Sequence, residues 1–93
     1  MATLKWKSYK DPQEYLDFVF DWTERLGEDT IDTATVSVVS GSVTIDDFEF
    51  TNKTVTVWLN GGEEGESCPI LCEIQTAGGR LRQQTAVCRI KTK

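Results

Sequence analysis

The sequence predicts an all-β chain folded as a single antiparallel β-sandwich of about seven strands. Three observations carry the prediction. Apolar and polar residues alternate with period two in several short segments, turn-forming clusters separate those segments, and the residue complement is rich in Val, Ile, Phe, Trp and Thr. With 39% hydrophobic and 27% charged residues, the 93-residue chain has the balance of one globular domain spanning 1–93.

The first strong segment is also the ambiguous one. "DPQEYLDFVFDWTERL" opens like a helix, with Asp11 as N-cap, Pro12 at the first helical position and Glu14 two residues on. Read as a strand, it sends Leu16, Phe18, Phe20 and Trp22 inward and Tyr15, Asp17, Val19 and Asp21 outward. The strand reading is preferred, because the alternation is clean and the other segments are strands. In "TATVSVV", Ala34, Val36 and Val38 share a face; in "TVTVWL", Val55, Val57 and Leu59 oppose Thr54, Thr56 and Trp58. "CPILCEI" places Cys68, Ile70, Cys72 and Ile74 together, and "QTAVCRI" does the same for Ala86, Cys88 and Ile90. Between and around these lie Lys10-Asp11-Pro12, Gly27-Glu28-Asp29, Ser40-Gly41-Ser42, Thr51-Asn52-Lys53, Asn60-Gly61-Gly62 and Ala77-Gly78-Gly79, each with residues that favour chain reversal.

Charge narrows the partners. The net charge of −5 opposes nucleic acid and membrane surfaces. The basic residues Lys5, Lys7, Lys10, Arg80, Arg82, Arg89, Lys91 and Lys93 are expected on solvent faces of terminal strands. The N-terminus lacks the apolar core of a signal peptide, so the chain is expected to remain in the cytoplasm or in a particle assembled there.

"LNGGEEGESCPILCE" (59–73) is the stretch that most resembles a chemical site. A structural zinc centre needs about four Cys or His ligands, and the chain has three cysteines and no histidine. Cys68 and Cys72 fall on one strand face with Ile70 and Ile74, so they read as small core residues after a glycine turn. Cys68 and Cys88 can face each other across the final hairpin, as thiols in a reducing compartment. The glycines lack the Lys-Ser/Thr of a phosphate loop, and the acidic clusters at 28–32, 46–47 and 63–66 lack the spacing of an EF-hand. No metal or cofactor is expected. Without histidine there is no imidazole base, and a hydrolase would require two carboxylates facing a cleft that so small a sandwich hardly accommodates. The chain is read as a non-enzyme. Trp6, Tyr9 and Trp58 fall outside the inward faces, either as docking anchors or as residues half-covered by loops and sheet twist.

Three segments carry a resemblance. "KDPQEYLDFVFDWTERLGEDTI" (10–31), "TVTVWLNGG" (54–62) and "CEIQTAGGR" (72–80) follow, in order, motifs of small structural proteins encoded in tailed-bacteriophage virion gene clusters. The family is similar to immunoglobulin-like or fibronectin-III-like sandwiches, so the resemblance implies that fold and assigns the ambiguous segment to a strand. It also implies a virion protein acting by contact, as capsid decoration or as a head–tail accessory, with capsid, neck or tail proteins as partners. Homo-oligomerisation is left open. On this view Trp6, Tyr9 and Trp58 are the anchors, while Asp17, Asp21 and the 63–66 loop tune charge complementarity. The alternative is a carbohydrate- or receptor-binding module on the particle surface. The three cysteines and the acidic "EEGES" loop depart from the family pattern.

Overall fold

Where one face of a segment meets the core and the other meets solvent, alternation becomes a strand. Thr54–Gly61 shows this most cleanly: Val55, Val57 and Leu59 are sealed from solvent, while Thr54, Thr56 and Trp58 between them are half-buried. A computed structural model describes residues 3–6 and 9–92, and of Thr3–Lys5 the backbone alone. Seven strands result: β1 Thr3–Lys5, β2 Tyr15–Asp21, β3 Ile31–Val38, β4 Val43–Phe50, β5 Thr54–Gly61, β6 Ser67–Thr76 and β7 Leu81–Arg89. One turn of helix, α1 Thr23–Leu26, sits between β2 and β3. One sheet has the order β1-β7-β6-β3 and the other β2-β5-β4, and both contribute to a single core.

Among the described residues the named strands pair antiparallel, with the exception of β1. β1 runs parallel to β7, pairing Thr3, Leu4 and Lys5 with Thr85, Ala86 and Val87. The expectation of a purely antiparallel sandwich is corrected at this point. A parallel pair needs a long connection, and here nearly the whole intervening chain supplies it.

The helix-start signature in the first segment is used, but for a turn. Asp11 Oδ1 accepts from the Gln13 N–H, Glu14 Oε1 accepts from the Asp11 N–H, and Glu14 N–H donates to the Asp11 carbonyl. The chain then enters β2, which pairs with β5 from Tyr15↔Asn60 to Asp21↔Thr54. The helix comes one strand later. Asp21 Oδ1 accepts from Thr23 N–H and Oγ1 at 3.0 and 2.6 Å, and Trp22 and Leu26 are buried.

Phe18, Phe20, Trp22, Val55, Val57, Leu59, Cys68, Ile70, Cys72, Ile74, Cys88 and Ile90 are all buried. Leu16, Val36 and Val38 differ from their expected inward burial: they are half-buried and only pack against the core. The reason is their position. β2 and β3 each end a sheet, so these side chains lack a neighbouring strand on one side. Lys10 departs in the opposite sense. Expected on a solvent face, it is buried, and its ammonium donates to the Gly61 and Asp11 carbonyls. Burial pushes its pKa down. Lys7 and Lys93, and the side chain of Lys5, lie outside the described residues.

Gly41, in the β3–β4 turn, has φ +99°, and a Cβ there would come 2.5 Å from Cys68 Sγ. The turn therefore requires glycine both for its backbone and for the sulfur beneath it.

Trp6 closes one side of the sandwich. Its ring stacks on Phe18 at 4.7 Å, meets Phe20 edge-on at 5.1 Å, and its Nε1–H donates to the Val19 carbonyl at 3.1 Å. It thus covers inner-face aromatics of β2. Trp6→Ala should cost about 2–3 kcal/mol by urea denaturation, less than the ~3–5 kcal/mol typical of a fully buried aromatic, because Trp6 is only half-buried.

Candidate docking surfaces

The β2-β5-β4 sheet turns its second face to solvent, and pairing register fixes which residues share it. Trp58, on the central strand, lies directly between Asp17 of β2 and Asp47 of β4. The adjacent row is Val19, Thr56 and Glu49, and the row on the other side is Tyr15, Asn60 and Thr44. Tyr15 and Val19 are 51% and 45% exposed. Asp46 lies at the irregularity between Ile45 and Asp47, and its Oδ2 accepts from the Tyr15 hydroxyl at 3.0 Å. With Asp21 opposite Thr54, the face carries Asp17, Asp21, Asp46, Asp47 and Glu49, and none of its paired positions holds Lys or Arg.

The residues singled out from sequence are not brought to one place. Trp58, Asp17 and Asp21 share this face, although Asp21 is committed to Thr23, whose hydroxyl and N–H lower its pKa. Trp6 is packed at the side of the core. Tyr9 is at the far end of the sandwich, with the Arg89 guanidinium 4.3 Å and the Lys91 ammonium 5.4 Å from its ring centre. In the sequence Asp46 and Asp47 stand out only as an acidic cluster and Glu49 not at all, because β4 lacks the alternation of a strand. The signal was there: "VTIDDFEF" lies between two turn clusters, but the bulge and the exposed Phe48 and Phe50 break its alternation.

Tyr9, Arg89 and Lys91 line a cleft of about 370 Å³ together with the 64–67 loop, more room than the sequence suggested. Its two carboxylates are occupied. Glu64 accepts from the N–H and hydroxyl of Thr92. Glu66 Oε1 accepts from the Ser42 hydroxyl at 2.6 Å and the Glu63 N–H at 2.8 Å. These bonds, Ser42 first, hold Glu66 below its ordinary pKa, the opposite of what a general acid needs.

Asp29 does similar work at the other end. Its pKa is lowered, first by the Thr76 hydroxyl and then by the Thr30 N–H. Its Oδ1 also accepts from Gly78 N–H at 3.0 Å, and Arg80 lies 3.5 Å from Oδ2. The loop before β3 is thereby fastened to the β6–β7 hairpin.

Cys68 and Cys88 are direct partners across β6 and β7, and all three cysteines are buried free thiols. Burial pushes Cys72 up to about 12 and Cys88 up to about 11. Among the described residues no group of acids and cysteines is arranged to hold a metal ion.

A family model described as "Podophage GP4 fiber-tail adaptor protein gp77" matches residues 10–89. The chain belongs to this family. The match runs from the Lys10 turn to the end of β7 and leaves β1 outside. Membership makes the chain a structural protein of a tailed-phage virion, of an adaptor family whose role implies contacts with other virion proteins. It does not extend to the immunoglobulin-like decoration group that the sequence motifs resemble. No curated protein matches the chain.

Two outcomes test the polar and sulfur assignments. Asp29 and Glu66 have folded pKa values below their unfolded ones, so their contribution is complete above the unfolded values, about 3.9 and 4.3. It is lost as pH falls through the folded values. Melting temperature should therefore hold from neutral pH to about pH 5 and drop below about pH 4, and Asp29→Asn should melt lower at neutral pH with a shallower acid limb. Separately, a thiol reagent such as DTNB at pH 8 should find no reactive cysteine in the native chain and all three after denaturation.

Proposed function

We propose that the chain is an immunoglobulin-like adaptor of a podophage tail, docking by protein–protein contact through the acidic face around Trp58. The strand orders support the fold: β2-β5-β4 and β3-β6-β7 follow the B-E-D and C-F-G orders of the immunoglobulin sandwich. The family description favours a place between fibre and tail over capsid decoration or the head–tail neck.

The observation that carries the docking face is Trp58 with an aspartate on each side, on a sheet surface holding five carboxylates and no paired cation. A large aromatic at the centre of a flat face is the usual anchor of an interface, and the surrounding charge selects a basic partner surface and speeds encounter. Repeated copies in a symmetric tail would add avidity to each contact. A glycan-binding reading would look to the Tyr9 cleft, where both carboxylates already serve the chain's own loops.

Intact particles, analysed by quantitative mass spectrometry, test this directly. A tail adaptor should be present at about six to twelve copies, the number closed cyclic symmetry supplies. Absence from particles, or hundreds of copies, would contradict the tail assignment. In complementation, Trp58→Ala should reduce incorporation by roughly 30-fold, the equivalent of about 2 kcal/mol for an interface anchor. Asp17→Lys with Asp47→Lys should do the same while leaving the melting temperature nearly unchanged. Normal incorporation of all these variants would move the docking site elsewhere.

A further inference from the structure

An adaptor needs a second, separate surface, and the open side of the sandwich has the features of one. β3 ends its sheet, and β4 ends the other on the same side, since the two strands contact one another across the layers. The Val39 N–H donates to the Pro69 carbonyl, and ladder alternation then directs the backbone groups of Thr33, Thr35 and Ser37 toward β6. The N–H and C=O groups of Ala34, Val36 and Val38 therefore point away from the sheet.

Edge strands ordinarily carry protection against further pairing: Lys, Pro, an inward charge or a bulge. In β3 the register shift is confined to Ile31/Thr33, and "TATVSV" (33–38) beyond it is regular, uncharged and free of proline. Beside it the core is incompletely covered. Phe48 and Phe50, opposite Val57 and Val55 in the ladder, are 37% and 42% exposed, and Val36 and Val38 are half-buried. The other side of the sandwich has Trp6 in the equivalent gap.

We infer that the β3 edge is a strand-addition site, and that its occupant is an extended segment of a different protein. That segment would pair with Ala34, Val36 and Val38 through its backbone. It would place alternate apolar side chains over Phe48 and Phe50, and carry no acidic residues. Charge excludes a second copy of this chain. Pairing β3 with itself would bring two β4 strands together, each bearing Asp46, Asp47 and Glu49. The site is distinct from the Trp58 face, which lies on the outer surface of the other sheet.

Amide hydrogen exchange in the free chain and in purified particles tests the inference. In the free chain, Thr35 and Ser37 should exchange slowly and Ala34, Val36 and Val38 rapidly. In particles, the peptide covering 33–38 should gain protection at those three positions. Val36→Pro removes one outward donor without touching the bonds to β6, and it should lower incorporation at least tenfold in complementation. Phe48→Lys leaves the β3 backbone intact and should do likewise, so the test survives if the proline variant misfolds. Unchanged exchange at 33–38 in particles that contain the chain would overturn the strand-addition site alone. Absence of the chain from particles would instead overturn the tail role. A free-chain dimer protected at Ala34, Val36 and Val38 would overturn the choice of a foreign strand.

Discussion

The fold depends on the contact between two inner faces. Val55, Val57 and Leu59 of β5 provide one, and Cys68, Ile70, Cys72 and Ile74 of β6 the other, all at most 1% exposed. Each of the five aliphatic side chains among them contributes about 1.5–3 kcal/mol relative to exposure, so these rows supply much of the hydrophobic stabilisation. Both strands are interior to their sheets, which lets every position on the inner face be covered from both sides. The cysteines belong to this arrangement as compact apolar residues. A larger side chain at Cys68 would displace the Gly41 turn packed on its sulfur.

Polar side chains at the two ends do a different job. Asp29 ties the loop before β3 to the final hairpin, Glu66 ties the β5–β6 loop to Ser42, and buried Lys10 bonds the end of β5. Each is engaged with its own chain, which withdraws it from partners. The two surfaces proposed for recognition are ones that internal packing does not use: the outer face around Trp58 and the open β3 side. Their separation suits a small protein that holds two others together.

Much of this architecture was legible in the sequence, because period-two alternation reports directly which face of a strand is covered. β2, β3, β5, β6 and β7 could be read that way. β4 could not, since its bulge shifts the pattern and its inner-face phenylalanines reach solvent at an edge. β1 is three residues long, and its pairing with β7 is set by topology. Edge position explains the half-buried Leu16, Val36 and Val38 as well: alternation gives the face, but only strand order says whether a neighbour completes the cover. Of the face proposed for docking, Trp58, Asp17 and Asp21 stand out in the sequence. Asp47 and Glu49 joined it only once β4 was placed beside β5. Lys10 looked like a surface charge because nothing local announces that two carbonyls wait for it inside.

One small sandwich is proposed to join two virion proteins through two different surfaces. A cryo-electron microscopy reconstruction of the intact tail with its fibres, at side-chain resolution, tests it most directly. The chain is expected at the fibre–tail junction, with Trp58 buried against a basic surface of one protein and β3 extended by a strand from another. Finding the chain on the capsid, or at the junction with both the Trp58 face and the β3 edge open to solvent, would contradict it.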